Sequence, residues 1–546
     1  MLTAFALAPR GRRHVLATLL ALALALGLPP APAVAQPGPV AGAIGRLLDR
    51  GEPVLDGHRL DAAALREVYA PEGFAPLWLG DDGGRRRAGQ LLGILEQAAA
   101  EGLRPEDYAA QAIAARRGAT DPETLAELDL LITGEILHYA QDLRSGRVSA
   151  RSVDSELYVH PEQVDRDDLL ERARSARDLR RVLAGVAPAN PVYRGLKRAL
   201  ADHRAIQRRG GWPLVARGKT LREGMVDRRV PALRRRLRTS GDLDEYLGEP
   251  ELYDERLARA VERFQARHGL AADGILGPAT RAALNVPVEA RIEQILLNME
   301  RWRWMPDDLG RRYILVNMAG FELAVVEDGW AVLAMKVVVG RPYRRTPVFS
   351  GRMTYMVVNP AWNVPESIAT RDYLPKLRKD TRKVVEQQIR VFDSWNGRRR
   401  EVDPLTVDWS RVSASRFPYS LRQDPGHRNA LGRIKFMLPN RFSVYLHDTP
   451  AVHLFDRQVR SFSSGCIRLE RPFALADYLL KDSQHWTALR LEEEIASGRT
   501  TEIGLPQPIP VHLAYATAWA DEEGRVQFRG DVYERDARLR QALFGG

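Results

Sequence analysis

The stretch YLHDTPAVHLFDRQVRSFSSGCIRLERP, residues 445–472, places the only cysteine of a 546-residue chain directly after a Ser-Ser-Gly sequence. Residues 463–465 are poor core formers, but they suit a tight turn whose backbone N–H groups point into a site. Arg468 adds positive charge close to Cys466, and nearby positive charge favours the nucleophilic thiolate. A small buried apolar side chain is the alternative role for a single cysteine. The neighbouring residues favour a reactive thiol.

Two histidines upstream of the thiol are candidates for its base. Residues 442–446 predict a strand with His447 at its end, where a side chain projects into a surface cleft. A strand-end histidine and a turn cysteine can come within the ~3–4 Å that a cysteine–histidine couple needs. His453 follows Pro450 in a loop and is the less fixed alternative. A zinc site is a further alternative, but the paired short-spaced ligands of zinc motifs are missing, so we expect no metal and no cofactor.

The N-terminal residues 1–35 predict a secretory signal peptide. Arginines at 10, 12 and 13 precede an apolar run over 15–28, and Ala-Val-Ala at 33–35 supplies a small-residue cleavage site. The run is shorter than the roughly 20 residues that cross a bilayer. An uncleaved membrane anchor is the alternative, and the choice between Sec and twin-arginine export stays open. We therefore expect an exported protein.

The composition is that of a folded protein with several domains. Hydrophobic residues make up 45%, which is ordinary for globular chains, and the length allows about three or four domains. The formal charge of +11 fits an anionic partner such as a cell wall or a membrane surface. Export argues against nucleic acid as that partner. The oligomeric state cannot be derived from these features.

The first part of the chain, residues 40–210, reads as helical. Apolar residues recur at helical spacing in 131–146, and both this segment and 177–185 end in glycine, which is a stop signal. Catalytic patterns are missing from this region. We therefore expect a helical scaffold domain.

Residues 257–285, LARAVERFQARHGLAADGILGPATRAALN, predict two helices joined by an Asp-Gly turn. The informative residues are Phe264-Gln265, His268-Gly269-Leu270, Asp273-Gly274, Gly277, Thr280 and Leu284-Asn285. With a first helix in 230–241, the stretch resembles the peptidoglycan-binding type 1 domain, a three-helix module, which we expect to span 211–288. A helical hairpin without a ligand is the alternative.

After Arg312 the hydrophobic period changes from helical to strand-like. Asp328-Gly329 between two apolar runs is a strong hairpin signal, and a late hairpin is expected around Gly524. Residues 366–415 are charged and helical in pattern and interrupt the strands. We predict a β-rich catalytic domain over 311–535 with a helical insertion at 366–415, a size that is often functional beside a site.

Residues 463–468, SSGCIR, match the S-x-G-C-x-R signature of the L,D-transpeptidase (YkuD-type) family, and His447 occupies that family's upstream histidine position. Asn429-Ala430-Leu431-Gly432 is similar to the family's N-P-L-G segment, and Thr346-Pro347 matches earlier in the chain. The chain departs from the family at Asp448, where glycine or serine is frequent, and at Ala430, which replaces proline. The complete arrangement resembles the large periplasmic L,D-transpeptidases of Gram-negative bacteria. It implies a multi-domain α+β fold and a periplasmic location.

The resemblance implies a reaction on peptidoglycan stem peptides. Cys466 would attack the carbonyl that joins meso-diaminopimelate to the terminal D-Ala of a tetrapeptide, releasing D-Ala and leaving a thioacyl-enzyme. An amine of a second stem would then resolve it into a 3→3 crosslink. His447 would transfer the protons, with its other nitrogen oriented by a backbone carbonyl, as is usual in the family.

The remaining site residues follow from the same resemblance. The backbone N–H groups of Gly465 and Cys466 would stabilise the oxyanion, and Arg468 would hold the turn or contact a stem carboxylate. The candidate substrate-binding residues are Ser463, Ser464, Tyr445 and Trp362, with a place in the core of the strands as the alternative role for Tyr445 and Trp362. Carbapenems are expected to inhibit the enzyme.

The insertion at 366–415 is expected to act as a lid, because water competes with the acceptor amine for a thioester. Two other functions stay open. One is an L,D-carboxypeptidase or an amidase on peptidoglycan stems. The other is a wall-binding protein without catalysis. The identity of the acceptor cannot be derived from the sequence.

Overall fold

The computed structural model describes residues 38–79, 83–244, 248–393 and 399–545. They divide into two compact units, one formed by the residues up to 88 together with 111–134, and the other by 89–110 together with the residues from 135 onward. The helical region predicted for 40–210 is therefore divided between the two units. The predicted signal peptide at 1–35 lies outside the described residues.

The N-terminal region is helical, as its periodicity predicts. Its helices are α1 (Pro39–Asp49), α2 (Ala62–Tyr69), α3 (Gly83–Leu95), α4 (Ala110–Arg116), α5 (Pro122–Ser145), α6 (Ala150–Val153), α7 (Arg166–Ser175), α8 (Leu179–Ala184) and α9 (Pro191–Arg208). Three short strands accompany them: β1 (Val54–Leu55), β2 (His58–Arg59) and β3 (Leu157–Tyr158). In the first unit, the buried Tyr69 hydroxyl donates to the Asp129 carboxylate at 2.6 Å, which satisfies a polar group inside the core.

The second module consists of α10 (Val230–Thr239), α11 (Glu255–Arg267) and α12 (Pro278–Leu284) around one apolar core. The Gln265 amide donates to Asp273 Oδ1 at 2.7 Å and to Thr280 Oγ1 at 3.0 Å. Its oxygen accepts the Gly274 N–H at 2.9 Å. These hydrogen bonds tie the turn to both flanking helices. The residues that carried the resemblance therefore build the fold of this module.

Helix α13 (Val288–Arg303) leads into the β-rich domain. Its strands are β4 (Arg312–Asn317), β5 (Glu322–Glu327), β6 (Trp330–Gly340), β7 (Val348–Val358), β8 (Trp362–Asn363), β9 (Ile389–Asp393), β10 (Arg400–Val402), β11 (Tyr419–Gln423), β12 (Ile434–Met437), β13 (Leu446–His447), β14 (Ser461–Ser463), β15 (Ile467–Leu469), β16 (Thr501–Ala514), β17 (Ala518–Ala520) and β18 (Val526–Phe528). Of the predicted strand at 442–446, only Leu446 belongs to a strand.

The main sheet runs in the order β12-β13-β15-β6-β5-β4-β16-β7-β3, with β14 beside β6. Because β12 also pairs with β7, the sheet closes on itself around the largest apolar core. The hairpin at Asp328-Gly329 is confirmed, with both residues at positive φ (52° and 86°), as a primed two-residue turn requires. The hairpin around Gly524 is confirmed by β17 and β18.

The insertion forms a small subdomain of its own. Helices α14 (Glu366–Ile368), α15 (Leu374–Lys379) and α16 (Thr381–Glu386) come first, with a π turn between α14 and α15. A four-stranded sheet in the order β10-β9-β11-β8 then packs with them around a separate core. The prediction of a helical insertion is therefore wrong for its second half. The strands there are short and carry charged residues at solvent-facing positions, so the alternation of apolar and polar residues that is typical of a strand was not recognised in the sequence.

The domain is completed by α17 (Pro472–Leu480), α18 (Ala488–Ala496) and α19 (Arg535–Phe544). Over the ranges that the structure describes, helices with the length and apolar character of a membrane span are absent.

Candidate active site

The turn at residues 463–466 is held by hydrogen bonds within itself. Ser463 Oγ donates to the Cys466 carbonyl at 2.5 Å and accepts the Gly465 N–H at 3.1 Å. Gly465 has φ = 118°, a conformation that side chains rarely adopt. Thr346 Oγ1 donates to the Gly465 carbonyl at 2.8 Å, which fixes the turn to the loop after β6. The turn presents Cys466 from a rigid support.

Strand pairing places His447 next to the segment that carries the thiol. In the parallel pair β13–β15, Leu446 lies opposite Ile467 and His447 lies opposite Arg468. Leu446 and Ile467 are buried in the main core. Since successive strand residues alternate between faces, His447 and Arg468 face away from that core. Cys466 lies in the bend directly before β15.

Cys466 is a free cysteine, half-buried, with protein atoms around most of its surface. This burial raises the pKa of its thiol, although hydrogen bonds from Tyr445 and the charges of Lys435 and Arg468 act in the opposite direction. The thiol donates to the Ser443 carbonyl at 3.7 Å rather than to His447. The sulfur therefore rests as a thiol, and direct contact between the sulfur and His447 stays a prediction.

His447 is buried and in its neutral form. Burial, followed by the positive charge of Arg468, lowers its pKa to about 3. Its Nδ1 lies 2.5 Å from the Asp448 carbonyl, which can only accept, so Nδ1 carries the proton and Nε2 is the basic nitrogen. The Asp448 carboxylate instead accepts the Arg433 N–H at 2.8 Å and packs against Gly432, where a Cβ would meet it at 2.2 Å. The glycine of the 429–432 segment therefore makes room for Asp448.

Of the two predicted substrate-binding aromatic residues, Tyr445 lies close to the thiol: its carbonyl accepts the Ile467 N–H at 3.1 Å, and its ring centroid lies 5.7 Å from that of His447. Its side chain packs against the apolar core that contains Trp362. Burial raises the pKa of Tyr445, so its hydroxyl keeps its proton. Trp362 belongs to the core of the insertion. Tyr445 therefore links the insertion to the sulfur.

Lys435 is a site residue that the sequence analysis did not identify. It pairs with His447 across β12 and β13, and its Nζ lies 4.0 Å from the centre of the Tyr445 ring. Burial lowers the pKa of its ammonium, which the charge of Cys466 partly offsets. A lysine between the core residues Ile434 and Phe436 was the available signal. We call the group of residues Trp362, Lys435, Tyr445, His447, Cys466 and Arg468 the catalytic groove.

The two adjacent serines have different surroundings. Ser463 is buried and both of its hydrogen bonds stay within the turn, so the structure gives it a supporting position instead of the predicted substrate contact. Ser464 is exposed and accepts a hydrogen bond from Arg344 at 3.0 Å. Arg344 also pairs with Asp372 of the insertion, with Nη2 3.1 Å from Oδ1. The insertion is thereby fixed to the catalytic turn.

The other predicted site residues differ in their burial and in their hydrogen bonds. Gly465 already uses its N–H for Ser463, which leaves the Cys466 N–H as the other donor of the predicted pair. Arg468 is half-buried, its Nε is buried without a hydrogen-bond partner, and burial lowers its pKa. His453 is exposed in a 3-10 turn. Within the described ranges, groups of three or more His, Cys, Asp or Glu that could hold a metal ion are absent.

Three families match parts of the chain: a scaffold domain over residues 63–200, a peptidoglycan binding domain over 227–284 and an L,D-transpeptidase catalytic domain over 311–495. A Haemophilus influenzae protein, whose name as an L,D-transpeptidase is itself provisional, is 37% identical over 250 residues. The match covers 46% of this chain and 49% of that protein, so the chain spans about half the length of this curated relative.

Solved L,D-transpeptidase structures are also similar to parts of the chain. One from Xylanimonas cellulosilytica is 16% identical with a TM-score of 0.18, and the match covers 55% of this chain and 99% of that one. One from Stackebrandtia nassauensis is 12% identical with a TM-score of 0.21, covering 55% and 96%. Such low scores carry no argument about function. The family matches are local: residues 311–495 match the L,D-transpeptidase catalytic domain, and residues 227–284 match a peptidoglycan binding domain.

Proposed function

We propose that the protein is a cysteine L,D-transpeptidase that joins two meso-diaminopimelate residues of peptidoglycan in a 3→3 crosslink. The observations that carry this proposal are a partly accessible thiol directly before β15 and a neutral imidazole on the neighbouring strand β13. The signature around Cys466 supports it, and so does the match of residues 311–495 to the catalytic family.

In the first step, Cys466 Sγ forms a bond to the carbonyl carbon between diaminopimelate and D-Ala. Because burial keeps the thiol protonated, its proton passes to His447 Nε2 as the attack proceeds. The carbon–nitrogen bond then breaks, and the imidazolium returns the proton to the leaving D-Ala amine. The products are free D-Ala and a thioester on Cys466.

In the second step, the amine of a second stem attacks the thioester. His447 Nε2 takes one proton from this amine and returns it to the departing sulfur, so the enzyme is restored. No ATP is needed, because the thioester conserves the free energy of the original amide bond. The Cys466 N–H stabilises the negative oxygen in both steps, an effect of about 3–4 kcal/mol for one donor in other acyl-transfer enzymes.

The insertion has the position that a lid requires. Its core includes Trp362 of β8 and packs against Tyr445, and its Asp372 is joined to the turn through Arg344. Its role is to exclude water from the thioester, so that an amine is the acceptor. Without this exclusion, the same site would act as an L,D-carboxypeptidase.

The location follows from the substrate. Peptidoglycan lies outside the cytoplasm, and the signal sequence predicted at residues 1–35 would export the chain to the periplasm. The peptidoglycan-binding module would hold the enzyme on the wall while the catalytic groove selects stems.

Mass spectrometry of muropeptides tests this function. Purified protein incubated with tetrapeptide muropeptides should release D-Ala and form dimers linked through two diaminopimelates, whereas Cys466→Ala should form neither. Intact mass should show one carbapenem adduct on the parent and none on Cys466→Ala. Tripeptide monomers as the main product would establish a carboxypeptidase instead. Failure of both product formation and adduct formation would establish a wall-binding protein without catalysis.

A further inference from the structure

A cavity of about 300 Å³ lies outside the catalytic groove, where α9, the peptidoglycan-binding module and the β17–β18 hairpin meet. Its walls include Ile206 of α9, Arg236 and Arg267 of the module, Arg291 of α13 and Phe528 of β18. We call it the arginine cavity. Its lining has no residue in common with the catalytic groove.

Arg236 is the most buried of its basic residues, with 1% of its surface exposed. Its Nε donates to the Leu284 carbonyl at 2.8 Å, and its guanidinium lies 3.8 Å from the centre of the Trp212 ring. Its Nη1 is buried without a hydrogen-bond partner. A buried guanidinium with an unused donor is costly unless a ligand or a counter-charge satisfies it.

Arg291 and Arg267 add to this charge. Arg291 donates to the Gln294 amide oxygen at 2.8 Å, a neutral partner, and its Nε is buried without an acceptor. Arg267 is the compensated member, because its Nε lies 2.5 Å from Asp242 Oδ1. Three buried guanidinium groups therefore line the cavity, and the Asp242 carboxylate contacts one of them, that of Arg267.

The other titratable groups around the cavity do not balance this charge. Burial lowers the pKa of His203 to about 4 and that of His268 well below its ordinary value, so both are neutral near pH 7. At the exposed edge, Arg525 pairs with Asp521, and Asp202 is the remaining acid. Burial and the charge of Arg267 lower the pKa of Arg236 to about 9 and that of Arg291 to about 10, and both remain charged.

The side chains that line the cavity limit the classes of ligand that it can bind. Guanidinium groups bind carboxylates through parallel hydrogen bonds, and each such charge-assisted bond is stronger than a neutral one. Trp212, Ile206 and Phe528 supply apolar and aromatic walls, which suit an organic anion better than an inorganic ion. The volume is adequate for a short peptide end.

We propose that the arginine cavity binds a free carboxylate of a peptidoglycan stem peptide, as a second binding site separate from the catalytic groove. The assignment of the ligand to peptidoglycan rests on the proposed function. The anion site itself rests on the unsatisfied donors of Arg236 and Arg291. A stem bound there would hold the wall against the module while another stem enters the catalytic groove.

Calorimetry on the full chain tests this site. In a Cys466→Ala background, which prevents turnover, a tetrapeptide muropeptide should show two binding sites. Arg236→Gln and Arg291→Gln should each weaken one of them at least about tenfold, as loss of a charge-assisted contact predicts. Asp202→Asn, an exposed change that removes a negative charge at the edge, should strengthen the same site. Arg235→Gln is the matched control, because Arg235 is exposed on the same helix and does not line the cavity.

Each result has a defined meaning. A muropeptide with amidated carboxylates should lose the second site, and equal binding of the amidated ligand would overturn the proposal. Acetate or phosphate binding without muropeptide binding would also overturn it, as would unchanged affinities in Arg236→Gln, Arg291→Gln and Asp202→Asn. Failure of the proposed function is distinguishable: crosslinks would be absent from the products of the parent, while the site sensitive to Arg236→Gln would remain.

Discussion

The catalytic groove and the arginine cavity both remove basic side chains from water, but they use different ones. The groove places Lys435 and Arg468 around a sulfur that can become negative. The cavity is lined by Arg236, Arg267 and Arg291, of which Arg267 pairs with the Asp242 carboxylate. In the groove the opposite charge is to be formed during the reaction. In the cavity it is to be supplied by a ligand.

This difference follows from the side chains themselves. A buried lysine adjusts its pKa readily, and burial lowers the pKa of Lys435. Arginine keeps its proton even where burial is almost complete, as the pKa of about 9 for Arg236 shows. A groove built on lysine can therefore adapt to a neutral thiol and to a thiolate. A cavity built on arginine keeps its charge and requires an anion.

The largest effect is expected from His447→Gln, because Nε2 is the base of the groove while the cavity needs none. Formation of the thioacyl-enzyme should slow by about 10²–10⁴-fold, the usual contribution of general base catalysis. The second binding site should keep its affinity. Time-resolved intact mass measures the first quantity and calorimetry the second. An acylation rate close to that of the parent would remove His447 from the mechanism.

Stability should depend on pH through the buried neutral histidines in both regions. The pKa is lowered to about 3 for His447 and to about 4 for His203, against roughly 6.5 in an unfolded chain. The unfolded chain therefore binds more protons between these values, and stability present above pH 6.5 should be lost as the pH falls towards 4. Melting temperatures at pH 7.5, 5.5 and 4.5 should decline less steeply in His447→Gln than in the parent. An equal decline would contradict a buried neutral His447.

Alanine substitutions of Ser463 and Ser464 test whether each hydroxyl supports the turn or contacts the substrate. Ser463→Ala removes two buried hydrogen bonds of the turn and should lower the free energy of unfolding by about 1–3 kcal/mol, with a clear loss of acylation. Ser464→Ala is its exposed control and should change stability by less than about 0.5 kcal/mol. Urea unfolding and carbapenem labelling measure the two quantities. A reversed order would show that Ser463 does not support the turn.

Lys435→Met tests whether the lysine of the catalytic groove influences the sulfur of Cys466. Loss of the ammonium raises the pKa of Cys466 further, because its charge acts against the effect of burial. Alkylation by iodoacetamide at pH 7 should slow by roughly tenfold or less, and its pH profile should move to higher pH. Lys435→Arg should restore most of the rate, since it restores the charge. An unchanged profile in Lys435→Met would mean that the ammonium does not influence the sulfur.

Local signals in the sequence predicted the elements that are formed locally. The Asp328-Gly329 hairpin and the three helices around Gln265 depend on residues close together in the chain, and both are present. The closure of the sheet by β12 and β7 depends on pairing between residues 434–437 and 355–358, which no local pattern specifies. The position of Lys435 beside His447 follows from the pairing of β12 with β13, which no sequence pattern marked, and so it was missed.

The same distinction between local and long-range contacts explains which features of the candidate active site could be predicted from the sequence. A turn signature and a strand-end histidine led to the prediction of Cys466 and His447 as the reacting pair, but not to the environment of the sulfur. Nearby positive charge suggested a thiolate, whereas burial, which depends on the whole fold, raises the thiol pKa. Ser463 and Ser464 are adjacent and identical in the sequence, and only the fold buries the first and exposes the second.

The smallest effect is expected from loosening the insertion. The residues that line the arginine cavity do not include any residue of the insertion. Arg344→Gln breaks the link between Ser464 and Asp372, and should raise the ratio of hydrolysed tripeptide to crosslinked dimer a few-fold, because water then reaches the thioester more easily. Arg371→Gln, an exposed neutralisation in the same insertion, is the control and should leave the ratio unchanged. If both variants keep the ratio of the parent while Cys466 still acylates, the insertion does not protect the thioester. Exclusion of water would then have to come from the groove itself, through Tyr445 and Trp362.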